Sequence, residues 1–116
     1  MRIGIPVEST NGLSSEINEH FGMCEHFVLL DVEGDKIVKI DEIENSPTMK
    51  EPKTPADLLA EHETDIVLTG GIGPHMIQKL LDKGVRIFKG AEGTAEQAFE
   101  DYKAGMLTEV RTVGDE

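Results

Sequence analysis

The feature that most restricts the fold is the second half of the chain, where short apolar runs alternate with amphipathic segments. Residues 65–69 and 85–88 read as strands, and residues 74–83 and 94–103 read as helices. A helix between two strands is the crossover that parallel pairing requires, because a tight hairpin joins only antiparallel neighbours. The punctuation agrees with that reading. Gly84 and Gly105 stand just past the two helices, where a left-handed cap favours a residue without Cβ, and Thr94 with Gln97 has capping-box spacing. Ala95, Ala98, Phe99 and Tyr102 recur at three and four residues and so share one helical face.

The first half is richer in strands. Residues 1–7 form a short buried strand by pattern, since Ile3, Ile5 and Val7 alternate ahead of the turn-rich Ser9-Thr10-Asn11-Gly12. Residues 27–32 and 36–44 read as a hairpin around Gly34-Asp35; the first arm is almost continuously apolar, as a central strand is. In the second arm Val38 and Ile40 alternate with Lys39 and Asp41, as in a half-exposed strand. Pro47 and Pro52 make 45–53 an irregular surface loop. Thr54 then caps a helix with Pro55 at its first position and Leu58 and Leu59 facing inward, ending near His62. Residues 107–113 read as a last short strand or a frayed tail. At 116 residues the chain supplies one core, so the expectation is a single α/β domain over 1–116 with a mixed sheet and the order β-β-β-α-β-α-β-α.

Charge narrows the partners. Asp and Glu number 23 against 11 Lys and Arg, a formal charge of -12, which repels nucleic-acid phosphates and anionic membrane surfaces. The same acidity keeps a surface soluble. Cys24 is the one cysteine, so no intramolecular disulfide forms, and a reducing cytoplasm is the expected compartment. No apolar run has the length of a membrane-spanning helix, and the opening residues lack the apolar stretch of a signal peptide.

Two constellations carry candidate chemistry. In His20-Phe21-Gly22-Met23-Cys24-Glu25-His26, two imidazoles and a thiol, the donors suited to soft and borderline transition metals, fall within seven residues. Gly22 gives the backbone room to turn, and Cys24 and His26 share a face if the strand has already begun. The spacing matches no structural zinc pattern, and the alternative is that Cys24 is a small buried apolar residue and the histidines are surface or packing residues. The second constellation, Thr69-Gly70-Gly71-Ile72-Gly73-Pro74-His75, lies between a strand and a helix. Free N–H groups and the helix dipole favour an anion there, although the spacing is neither a dinucleotide fingerprint nor a P-loop. A tight turn without a ligand is its alternative reading. Ser14 and Ser15 lie in no nucleophile elbow, and the carboxylates show no marked pair.

Taken in order, Ile3-Gly4-Ile5-Pro6, His20-Phe21-Gly22, the entry into the strand from Cys24 to Phe27, the run from Asp65 to Gly73, Gly84-Val85 and Tyr102-Lys103-Ala104-Gly105-Met106-Leu107 resemble the dinitrogenase iron-molybdenum cofactor biosynthesis family. The resemblance implies a ribonuclease-H-like three-layer fold with a five-stranded mixed sheet. It also implies binding, carriage or insertion of iron-sulfur or iron-molybdenum-type clusters, with donor and acceptor proteins as partners. His20, Phe21 and Gly22 match the family's turn, and Gly70, Gly71 and Gly73 match its glycine-bearing loop; Met23 stands where members commonly have a basic residue. The expected function is a non-enzymatic cluster-binding accessory protein. His20, Cys24 and His26 are the candidate metal ligands, and Phe21, Gly22, Gly70, Gly71, Gly73 and His75 complete the candidate pocket. A metal-free small-anion-binding module is the second reading and a hydrolase the third. A nuclease is disfavoured because the first strand, Ile3-Gly4-Ile5-Pro6-Val7, offers no carboxylate for a metal ion.

Overall fold

A computed structural model describes residues 1–44 and 54–113. In chain order the elements are strands β1 (Arg2–Val7), β2 (His26–Glu33) and β3 (Lys36–Glu44), helix α1 (Pro55–Glu61), β4 (Ile66–Thr69), α2 (Pro74–Asp82), β5 (Arg86–Lys89), α3 (Ala95–Lys103) and β6 (Thr108–Val110). The expected surface loop over 45–53 lies outside the described residues.

The strands form one mixed sheet in the order β3-β2-β1-β4-β5-β6. β1, β4 and β5 run parallel, and β2, β3 and β6 are antiparallel to their neighbours. The sheet therefore has six strands and not the five expected, because Thr108–Val110 adds to the outer edge of β5. Two interactions hold this short strand. Val110 is buried in the core, and the Arg86 guanidinium donates to both carboxylate oxygens of Glu109 at 3.0 Å.

Alternation along the strands sorts the core into two faces. Ile3, Ile5, Val28, Leu30, Ile66 and Leu68 face α3, which contributes Ala95, Ala98 and Phe99. Phe27, Leu29, Val67 and Ile87 face α1 and α2, which contribute Leu58, Leu59, Ile77 and Leu80. Gly4 is needed on this second face, since a Cβ there would come within 3.0 Å of the Leu59 side chain. β3 is an edge strand, and a register shift opposite Asp31 and Val32 changes which of its residues turn inward. Ile37 and Ile43 lean on the cores, while Val38 and Ile40 are exposed.

The helix boundaries follow local chemistry. Thr54 and Thr94 accept hydrogen bonds from the backbone N–H of Asp57 and Gln97, each capping its helix from the N-cap position. Gly84 and Gly105 adopt φ of 78° and 74°, as left-handed caps.

Candidate functional site

The parallel strands β1, β4 and β5 end on one edge of the sheet, at Val7, Thr69 and Lys89. His26 pairs with Val7, so the start of antiparallel β2 lies on that edge too. The segment from β1 to β2 folds back across it. Ile17 bridges to Val7, the Glu8 N–H donates to the Glu16 carbonyl and the Asn18 N–H to that of Pro6. The Ile17 N–H reaches the Gly93 carbonyl at 2.9 Å, and the Ala95 N–H returns to the Ser15 carbonyl at the same distance. The loop is thereby stitched to the start of α3.

Between these segments opens a cleft of about 540 Å³. One wall is Gly70 and Gly71 after β4, the other is Gly90, Ala91, Glu92 and Gly93 after β5, and Ile17 and Glu19 close one end. The walls are joined at their base: the Gly90 N–H donates to the Gly70 carbonyl and the Ala91 N–H to that of Thr69. Gly70 allows this closeness, because a Cβ there would stand 3.1 Å from the Ala91 carbonyl oxygen. The N–H groups of Gly71, Ile72 and Gly73 have no acceptor among the described residues. Glutamates are the charged side chains lining the cleft, Glu19 and Glu92, and the adjoining groove adds Glu8 and Glu16.

The residues singled out from the sequence reach this edge with different exposures. His20 is exposed at the start of the single turn Phe21–Met23, its N–H held by the Asn18 side chain at 2.8 Å. Phe21 is buried and meets Phe27 edge-to-face, with ring centroids 5.7 Å apart. Gly22 is exposed beside the first turn of α2, where a Cβ would approach Met76 to 4.0 Å. Gly73 caps α2, and His75 is exposed in its first turn. His26 is half-buried, and its Nδ1 is buried without a partner among the described residues.

Cys24 points inward. It is 2% exposed, and its thiol donates to the His26 carbonyl at 2.9 Å and faces the Val7 carbonyl at 3.6 Å. Burial pushes the thiol's pKa up, against the opposing pull of those hydrogen bonds, and so favours the neutral form. Among the described residues no three His, Cys, Asp or Glu side chains group as a metal site, so His20, Cys24 and His26 share an edge without forming one.

The wall formed by residues 90–93 escaped the sequence reading. Its signal was available: Gly90 and Gly93 follow β5 as Gly70 and Gly71 follow β4, and ligand crevices in open α/β sheets lie outside the carboxyl ends of such strands.

A mixed sheet with helices on both faces and a glycine-walled cleft outside the carboxyl ends of the parallel strands defines the chain as an α/β protein. The chain belongs to the dinitrogenase iron-molybdenum cofactor family, whose family model matches residues 1–105. It is similar to the uncharacterized protein MJ0580 of Methanocaldococcus jannaschii, at 23% identity over 92% of this chain and 89% of that one. Among solved structures it resembles PH0822 (TM-score 0.79, 27% identity, 97% of this chain and 99% of that one). It also resembles the apo form of the orange protein from Desulfovibrio gigas (TM-score 0.79, 25% identity, 96% and 93%).

Proposed function

We propose that this chain is a non-catalytic accessory protein that receives an iron-sulfur or iron-molybdenum-type cluster as cargo and passes it between donor and acceptor proteins. The observation that carries the reading is family membership over residues 1–105, in a family tied to iron-molybdenum cofactor handling. The sheet order β3-β2-β1-β4-β5 supports a ribonuclease-H-like classification. The cytoplasm remains the proposed compartment, on the strength of the lone cysteine.

The cleft fits such a cargo in three respects. Its volume of about 540 Å³ accommodates a small inorganic cluster, the N–H of cleft-lining Gly71 has no acceptor among the described residues, and exposed His20 follows cleft-lining Glu19. We assign His20 as the accessible ligand. Cys24 serves only if the turn at residues 21–23 opens, because its sulfur must first leave two carbonyls. His26 offers a ring nitrogen with no competing partner among the described residues.

The small-anion module is the second reading, favoured by the amides of Gly71, Ile72 and Gly73 at the start of α2, which have no acceptor among the described residues. Glu19 and Glu92 oppose it, since two carboxylates beside a cleft repel a free anion that brings no metal charge.

Anaerobic reconstitution with iron, sulfide and molybdate tests the proposal. The wild type is expected to gain visible absorbance and stoichiometric metal, with retention reduced in His20→Ala. Reduced retention in Cys24→Ala with an intact fold would show that the turn opens. Wild-type protein that retains no metal, or equal retention in wild type and the His20→Ala, Cys24→Ala double variant, would sink the assignment.

A further inference from the structure

A ladder of alternating charge crosses the first three strands and stops at an open edge. Arg2 on β1 lies opposite Asp31 on β2, and the two form an ion pair at 2.7 Å. Asp31 in turn lies opposite Lys39 on β3. Directly opposed residues in a sheet share a face, with Cβ atoms about 5 Å apart, so unlike charges there attract and like charges repel. β3 is the last strand of the sheet, and among the described residues its outer side pairs with no strand. Lys39 ends the ladder there with its side chain 63% exposed, beside Asp41 of its own strand at 3.4 Å. The same edge exposes Val38 and Ile40, at 56% and 42%.

A lysine on an edge strand commonly keeps other strands away. On β3 the pattern of charge selects one. When two copies of a strand pair antiparallel about a two-fold axis, one residue faces its own copy, and the residues flanking it face each other across the axis. Centred on Lys36, Lys39, Asp41, Glu42 or Glu44, such a pair sets a charge against itself; centred on Ile43, it sets Glu42 against Glu44. Ile37 is packed against the core, and Val38 is skipped by the register shift and has no partner on β2. Ile40 is the centre that remains. There Ile40 meets Ile40, and on the other face Lys39 of each copy meets Asp41 of the other. The ladder gains the acidic rung that its alternation calls for. Glu42, the next carboxylate along, accepts the Gly12 N–H of its own chain at 3.1 Å.

We propose that β3 is a homodimer interface, in which two copies of this chain pair antiparallel, edge to edge, about a two-fold axis at Ile40. The assembly joins two six-stranded sheets into one. β2 and β1 stand between β3 and the strands β4 and β5 that carry the cleft, so both clefts stay open, and the inference is independent of what they bind. Two copies of formal charge -12 repel at long range, so the association is weak and depends on concentration.

Sedimentation equilibrium of the whole chain tests the interface. The wild type is expected to pass from monomer toward dimer as its concentration rises to millimolar. Lys39→Asp sets acids against acids and Asp41→Lys sets bases against bases, so each variant alone is expected to associate about tenfold more weakly or less still. Mixed in equal amounts, the two variants restore both unlike pairs at the same total charge as two wild-type copies, and the mixture is expected to associate as the wild type does. Circular dichroism establishes that each variant is folded; if either is not, Ile40→Lys, which sets a charge against itself at the centre, is expected to show the same loss. A wild type that stays monomeric at millimolar concentration overturns the inference. So do single variants that associate like the wild type, or a mixture of the two that fails to recover.

Discussion

Glu63 is the described non-glycine residue that adopts the left-handed backbone region, with φ of 56°. It stands just past α1, where the Thr64 N–H reaches the Leu59 carbonyl and the Glu63 N–H reaches that of Ala60, the paired bonds of a Schellman ending. Glycine is the usual residue there, because a Cβ in this conformation costs about 1–2 kcal/mol, partly offset by glycine's freedom in the unfolded chain. Glu63→Gly is therefore expected to stabilise the protein by about 0.5–1 kcal/mol, seen as a higher urea midpoint at unchanged slope. The contrast with Gly84 and Gly105 shows what a sequence can reveal at this scale. Those two announce their caps by residue type, whereas Glu63 has a left-handed backbone that no residue preference signals. Cys24 was similarly half legible: its donor chemistry is plain in the sequence, but of the two carbonyls that hold its thiol only that of His26 is local, and that of Val7 comes from pairing across the sheet.

At the scale of elements, the alternation of strands and helices over residues 65–103 carried the parallel half of the sheet, because helical crossovers leave few alternatives. β6 was harder. Three residues, Thr108–Val110, bear one buried side chain among them, too little pattern to separate a strand from a tail. Its place is set from outside, by pairing of Val110 with Ile87 and by the bond between Arg86 and Glu109. Val110 is 1% exposed on the face covered by α1 and α2, so Val110→Ala leaves a void against that core. The expected loss is about 2 kcal/mol, measured by chemical denaturation. A loss below about 0.5 kcal/mol would mean that β6 contributes pairing without packing.

The whole molecule carries a formal charge of -12, yet some of its carboxylates are held in pairs. Asp31 is kept below its ordinary value of 3.8 chiefly by the hydrogen bond from Arg2. Asp57 is lowered mainly by Thr54 and then Lys83, and Glu109 is drawn below 4.5 mainly by Arg86. A depressed carboxylate stabilises the fold at pH above its unfolded value, and that contribution disappears as pH falls through the lower folded value. The urea midpoint is thus expected to drop once the pH passes below 3.8–4.5, less steeply in Asp31→Asn, which has surrendered its share beforehand. An equal slope in that variant would assign the acid sensitivity to other groups. The cleft has a further consequence at this scale, in the order of events during synthesis. Its boundaries come from residues 17–19, 70–71 and 90–93, and the bond from Ile17 to Gly93 spans most of that distance. Contacts so far apart in sequence close late, after the intervening chain has been ordered. A nascent chain that has emerged only through β4 has a glycine turn but no opposite wall, so the cleft comes into being only when β5 and the loop after it have joined the sheet.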